Sequence, residues 1–149
     1  LPRHDMQDFW DQQFPYCFSI DQHVLKVLQT IKKQVQVGII TNGSTQRQKA
    51  KITHTGLASY FDVILISEEV GLTKPDKRIF ELALHQLQVQ PNEALFVGDD
   101  LAKDIAGCQQ ARMKGIWYNP HRLTNPTDIK PDAVIHSFEQ LIKGRALFN

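Results

Sequence analysis

Strands alternating with helices predict an α/β fold built on a doubly wound, mostly parallel sheet. Three features carry that expectation. Apolar runs of strand length occur at 35–40, 61–66, 94–97 and 116–118, and the first and third stop abruptly in polar, glycine-bearing clusters. The segments between them place apolar residues three and four apart, the period of an amphipathic helix. Those segments are also long enough to be the crossovers that parallel neighbours require.

Composition narrows the class. A chain of 149 residues suits one domain with a real core, and 42% hydrophobic against 22% charged residues excludes intrinsic disorder. The formal charge is +1 with no basic block, so nucleic acid is not an implied partner. No apolar stretch approaches the roughly 18 residues of a membrane span, and no signal peptide is visible. Cys17 and Cys108 lack metal or redox spacing, and the six histidines are scattered, which argues against a His-ligated metal. A cytoplasmic domain with reduced thiols is expected.

Each element has its own signal. Residues 1–18 hold Phe9, Trp10, Phe14, Tyr16 and Phe18, aromatics that need partners, so a helix end and connector are expected there. Asp5, Asp8 and Asp11 read as a solvated helix face rather than a metal site. Val24, Val27, Leu28 and Ile31 predict a helix over 21–33, capped by Ser19 or Asp21. The run 35–40 reads as a buried strand stopped by Thr41-Asn42-Gly43, and Ser44 starts a helix that turns Ala50, Ile52 and Leu57 inward. After the strand at 61–66, a loop leads to a helix introduced by Pro75-Asp76, since proline and an acid both suit a first turn. Ile79, Phe80, Ala83, Leu84 and Leu87 form its core stripe. The strand at 94–97 leads to a helix carrying Leu101, Ile105, Cys108 and Ala111 inward, with Gly115 as its C-terminal cap. A strand at 116–118, a turn-rich loop, an edge strand at 132–135 and a helix over 138–147 finish the chain.

The candidate site lies where strands end. Asp99 at a strand tip and Asp104 in the next helical turn would face one point, and paired carboxylates suit a hard cation such as Mg²⁺. The plainer reading is that Asp100 caps the helix and Asp104 answers its dipole. Thr41 offers a hydroxyl, and the amides of Asn42 and Gly43 open a helix, a good place for a phosphate. The same tripeptide also suits an ordinary strand-to-helix turn. Lys74 would bring a point charge to the same anion, though most lysines are solvated. Hydroxyl, amides, lysine and paired acids together are the inventory for phosphoryl transfer.

Three segments carry a resemblance. Ile39-Ile40-Thr41-Asn42-Gly43, Gly71-Leu72-Thr73-Lys74-Pro75-Asp76 and Val97-Gly98-Asp99-Asp100 with Asp104 resemble motifs two, three and four of the haloacid dehalogenase-like hydrolases, in order and spacing. Tyr60-Phe61-Asp62, Ser67-Glu68-Glu69-Val70-Gly71, Ile79-Phe80 and Gly115-Ile116-Trp117 are similar to the subfamily whose cap lies between motifs one and two. The likeness covers roughly residues 15–140 and implies a Rossmann-like core. It implies that Thr41, Asn42 and Gly43 bind the substrate phosphoryl group, and that Lys74 binds it too and serves catalysis. It also implies that Asp99 ligates Mg²⁺ with Asp104 in support. Asp100, where the family often has serine, ranks below those two.

The family's nucleophile and general acid are an Asp-x-Asp pair at the tip of the first strand, and this chain has no Asp-x-Asp. The resemblance therefore implies that 1–14 is the tail of a cap and 15–149 an incomplete core lacking its central first strand. That strand would lie between those ending at Thr41 and Asp99, and its loss exposes two edges. A second chain or a missing N-terminal fragment is the expected partner. The implied function is a Mg²⁺-dependent phosphatase on a small phosphorylated metabolite, working through an aspartyl-phosphate in the complete parent, with this chain inactive alone. A 2-haloacid dehalogenase is the alternative within the family, disfavoured by Gly98-Asp99. A non-catalytic module binding a phosphorylated ligand or a partner is the alternative outside it. A dinucleotide site is disfavoured because no Gly-x-Gly-x-x-Gly follows a strand.

Overall fold

The structure, a computed structural model, describes residues 22–143. The expected cap tail at 1–14 and the end of the last helix lie outside the described residues, as does any test of a boundary near residue 14.

Helix α1 (Gln22–Ile31) leads to β1 (Gly38–Thr41). Helix α2 (Thr45–Thr55) follows, with Ser44 as its cap accepting from the Arg47 N–H and Gly56 closing it in the left-handed region. Strand β2 (Val63–Ile66) runs directly into a single-turn helix, α3 (Ser67–Val70), where a loop was expected. Helix α4 (Lys77–Leu87) is capped by Asp76, whose carboxylate accepts from the Arg78 N–H. Pro75 stands just before that cap on a cis peptide bond with Lys74, so it precedes the first turn instead of occupying it. Arg78 also grips Asp76 through its side chain, and this guanidinium holds the Asp76 carboxyl down at about 2.

Strand β3 (Leu95–Gly98) is followed by a π-helical segment, Leu101–Ala106, and a short α5 (Gly107–Gln110). Strand β4 (Lys114–Tyr118), strand β5 (Ala133–Ile135) and helix α6 (Glu139–Lys143) complete the described chain. Gly115 lies inside β4 and does not cap a helix. A Cβ there would sit 3.0 Å from both Cys108 Sγ and Ile105 Cγ2, so the glycine lets the preceding helical segment pack against the strand. That packing also buries Cys108, and desolvation pushes its thiol up to about 12.

All the described strands pair in parallel, but in two separate pieces. One joins β1 to β2 with Thr41 opposite Ile66, and the other runs β3-β4-β5 with Gly98 opposite Trp117 and Tyr118 opposite Ile135. No ladder joins β1 to β3 among the described residues. Helix α4 rests on both β1 and β2, and its Ile79 and Phe80 cluster with Ile40, Leu65, Cys108 and Phe96. On the other face Ile31 of α1 and Leu141 of α6 cluster with Leu95, Val97, Ile116 and Ile135. Alternate residues of β3 thus point to opposite layers, as a doubly wound sheet requires.

Burial runs opposite to the usual order. In such sheets the central strands are covered on both faces. Here β2 buries three of its four residues and β4 three of its five. Strand β1 buries only Ile40, and β3 leaves all four of its residues half-buried. The two edges left unpaired among the described residues are therefore also the thinly covered part of the core. A groove of about 270 Å³ lies at the opposite, amino-terminal end of β1 and β2, lined by Lys32, Lys33, Val35 and Asp62 among others. No helix among the described residues is long and apolar enough to cross a membrane.

Phe80 has no exposure at all and meets Phe96 edge to face at 5.1 Å. Phe80→Ala should therefore cost about 3–5 kcal/mol in urea unfolding. Val134→Ala, at a residue 43% exposed, should stay within about 0.5 kcal/mol.

Candidate active site

The carboxyl ends of β1, β2 and β3 meet in one region, the place where open α/β sheets bind ligands. Lys74 is brought there by the loop between α3 and α4. Its side chain is only 13% exposed, and Nζ lies 2.6 Å from Oδ1 of Asp104, itself 5% exposed. Nζ also sits 5.6 Å from the centre of the Phe96 ring, within cation–π range. Asn42 clamps the Lys74 backbone from both sides. Its Nδ2 donates to the Lys74 carbonyl at 3.1 Å and its Oδ1 accepts from the Lys74 N–H at 3.0 Å. The tip of β1 thus fixes the lysine's main chain, and the segment after β3 fixes its charge.

The tips of β1 and β2 are joined as well. The Gly43 N–H donates to Ser67 Oγ at 2.9 Å, and that hydroxyl donates to the Gly43 carbonyl at 3.2 Å. Gly43 was expected to offer its amide to a phosphate, but the structure turns it to Ser67. Its φ of 148° explains the glycine, and the Gln48 side chain folds over the space a Cβ would fill. Thr41 stands at the end of β1, and its hydroxyl makes no hydrogen bond among the described residues.

The acidic cluster divides its labour. Asp104 spends both oxygens internally: Oδ1 on Lys74, and Oδ2 on the Asp100 N–H at 3.0 Å. It reaches them because the backbone widens here. The Asp100 carbonyl accepts from both the Asp104 N–H at 2.9 Å and the Ile105 N–H at 3.2 Å, the second bond being the longer π-type span. Gly98 is tied to this turn, since a Cβ on it would overlap the Asp104 side chain. Asp100 is the helix cap, accepting from the Lys103 N–H at 2.8 Å. Asp99 is exposed, and its carboxylate has no partner among the described residues.

A hard cation fits this donor set through Asp99. Mg²⁺ binds by one or two carboxylates with water and phosphate oxygens completing the shell, and an unpartnered carboxylate at a strand tip meets that need. Asp104, expected in support of Asp99, pairs with Lys74 and accepts from the Asp100 N–H. Asp100 is occupied as a cap. No group of three or more acidic, histidine or cysteine side chains gathers into a cation site among the described residues.

Three positioning contacts escaped the sequence reading. The Asn42 side chain serves Lys74, Ser67 serves Gly43, and the Trp117 indole Nε1–H donates to the Asp99 carbonyl at 3.0 Å. Only the last left a signal. A tryptophan in a strand that must be buried needs an acceptor for its N–H.

The chain is similar to known proteins over most of its length. The family model described as haloacid dehalogenase-like hydrolase matches residues 9–118. The chain is 38% identical over 122 residues to pyrimidine 5'-nucleotidase YjjG of Escherichia coli, covering 79% of this chain and 54% of that protein. It is 33% identical over 116 residues to a phosphoserine phosphatase of Thermus thermophilus, covering 78% and 47%. Among solved structures, a 2-haloacid dehalogenase from Pseudomonas syringae superposes with a TM-score of 0.79 at 38% identity, over 87% of this chain and 54% of that one. The magnesium-bound putative hydrolase YfnB from Bacillus subtilis gives 0.79 at 29% identity, over 85% and 55%. The chain thus spans about half the length of the curated relatives it matches.

Removing one member of the Lys74–Asp104 pair leaves the other charge buried alone. Asp104→Asn or Lys74→Met should each cost about 3–5 kcal/mol in urea unfolding, and Lys74→Met/Asp104→Asn clearly less than their sum. Additive losses would show that the two charges do not depend on each other.

Proposed function

The chain belongs to the haloacid dehalogenase-like hydrolases, and from that premise we propose that it is the larger part of a Mg²⁺-dependent phosphatase acting on a small phosphorylated metabolite. The observation that carries this is Lys74, a nearly buried cation held by Asn42 and Asp104 beside the unpartnered groups of Thr41 and Asp99. A fixed charge, a free hydroxyl and a free carboxylate at converging strand tips suit an anionic ester. The phosphate esters named for the two curated relatives differ from each other, so the proposal stops at the class of substrate.

In this reading the Thr41 hydroxyl and the Asn42 amide hold the phosphoryl oxygens. Lys74 offsets their charge without losing its place, because Asp104 and Asn42 hold both ends of it. Asp99 would hold Mg²⁺, which when bound supplies further positive charge against the phosphoryl group. Asp104 acts through Lys74 and the Asp100 amide, and Asp100 is the weaker candidate ligand. The nucleophilic carboxylate is proposed to arrive on a strand filling the space between β1 and β3, from an N-terminal fragment or a second chain. Its oxygen attacks phosphorus while the second aspartate of the same Asp-x-Asp pair gives its proton to the leaving ester oxygen. That aspartate then takes a proton from the water that splits the aspartyl-phosphate, which releases inorganic phosphate and restores the carboxylate. A cytoplasmic setting suits the buried thiol of Cys108.

A second reading, dehalogenation, is favoured by the 2-haloacid dehalogenase neighbour at 38% identity. One experiment separates the readings. The longest gene product containing this chain and the 149-residue form are assayed on p-nitrophenyl phosphate with and without Mg²⁺, and on 2-chloropropionate. Mg²⁺-dependent phosphate release by the longer form only is expected, falling at least about a hundredfold in Lys74→Met. Metal-independent chloride release would establish the dehalogenase instead. Phosphate-ester binding without turnover in the longer form would make this a binding module.

A further inference from the structure

The peptide linking Asp99 to Asp100 is held at both of its polar atoms. Its carbonyl accepts from Trp117 Nε1 at 3.0 Å, and its N–H donates to Asp104 Oδ2 at 3.0 Å. These two bonds fix the plane on the carboxyl side of Asp99. On its amino side Gly98 is locked into the β3–β4 ladder opposite Trp117 itself. The main chain of Asp99 is therefore held on both sides, while its carboxylate makes no hydrogen bond or ion pair among the described residues.

Trp117 is built to do this. It is 7% exposed and packs against Leu101 and Ile105 of the π-helical turn, with Ile129 of the β4–β5 loop closing over the cluster. The indole is thereby wedged between the turn that carries Asp104 and the loop beyond β4. Its single donor has one acceptor, and that acceptor belongs to the residue whose carboxylate stands free.

We infer that Trp117 is a positioning residue for cation binding. Through the Asp99 carbonyl it aims the Asp99 carboxylate, and it reports on what that carboxylate holds. This rests on the reading of Asp99 as the cation's ligand. Partners one step behind a metal ligand commonly set its orientation and affinity. A phenylalanine at 117 would keep an aromatic ring in the cluster while deleting the donor and part of the buried volume.

The test is a titration of the uniformly ¹⁵N-labelled longest gene product containing this chain with MgCl₂ at constant ionic strength, following the indole N–H resonances, with Mn²⁺ affinity measured in parallel. Trp117→Phe assigns the Trp117 signal. The Trp117 indole signal should move along a saturating curve in the unsubstituted chain and stay still in Asp99→Asn. Trp117→Phe should bind Mn²⁺ about tenfold more weakly while melting within a few degrees of the parent. The indole shift is read on the unsubstituted protein, so it stands as a readout even if Trp117→Phe folds poorly. If Mg²⁺ binds but leaves the indole signal in place, or Trp117→Phe binds Mn²⁺ as tightly as the parent, the positioning role is overturned and the reading of Asp99 survives. If neither cation binds and Asp99→Asn behaves as the parent, the reading of Asp99 fails and the role of Trp117 falls with it.

Discussion

The Lys74–Asp104 ion pair ties the site together. It spans from the loop after β2 to the turn after β3, two elements on opposite sides of a break in the sheet. With no ladder between β1 and β3 among the described residues, the half-sheets are linked by α4 and the shared core around Phe80 and Phe96, by α1 packing on α6 and β3, and by this pair. Asn42 adds the link back to β1 and Ser67 the link to β2. A buried pair is a poor source of net stability, because both charges lose their hydration. Its value is geometric. One carboxylate sets the position of the lysine and, through the Asp100 amide, the start of the π-helical turn. The same commitment explains why Asp104 stands behind the site and Asp99 in front of it.

The break itself has a physical signature. Edge strands with open hydrogen-bonding groups are usually short, charged or covered. Here β1 and β3 carry Ile39, Ile40, Leu95, Phe96 and Val97 in their pairing segments, residues suited to a covered central strand. The outer neighbours β2 and β4 are better buried than they are. A parallel strand between β1 and β3 would satisfy both edges and bring its carboxyl end to Lys74, Thr41 and Asp99. The chemistry proposed for the site asks for a carboxylate at that point.

Much of this was legible in the sequence, and the failures have causes. Period and composition gave the α/β class, the strand tips and the core stripe of α4, because those depend on hydrophobic spacing alone. Strand limits were misjudged at 35–40, where only Gly38–Thr41 pairs, since apolar residues before it belong to a loop held by Asp62. Gly115 was misread because a glycine near a helix end suggests a cap, whereas this one answers to Cys108 and Ile105 across the interface. The π-helical turn leaves no local pattern, and it decides which acid is free. Sequence spacing brought Asp99, Asp100 and Asp104 to one place, yet their separate roles arise from hydrogen bonds to Trp117, Lys74 and Lys103.

Amide hydrogen exchange tests the interrupted-sheet site most directly. In the 149-residue chain, the amides of β1 and β3 that point away from β2 and β4 should exchange at rates close to those of an open edge. In the longer gene product the same amides should be protected to the level of β2 and β4. Equal protection of both edges in the short chain would mean that they are already paired within it, leaving no place for a strand to bring the missing carboxylate.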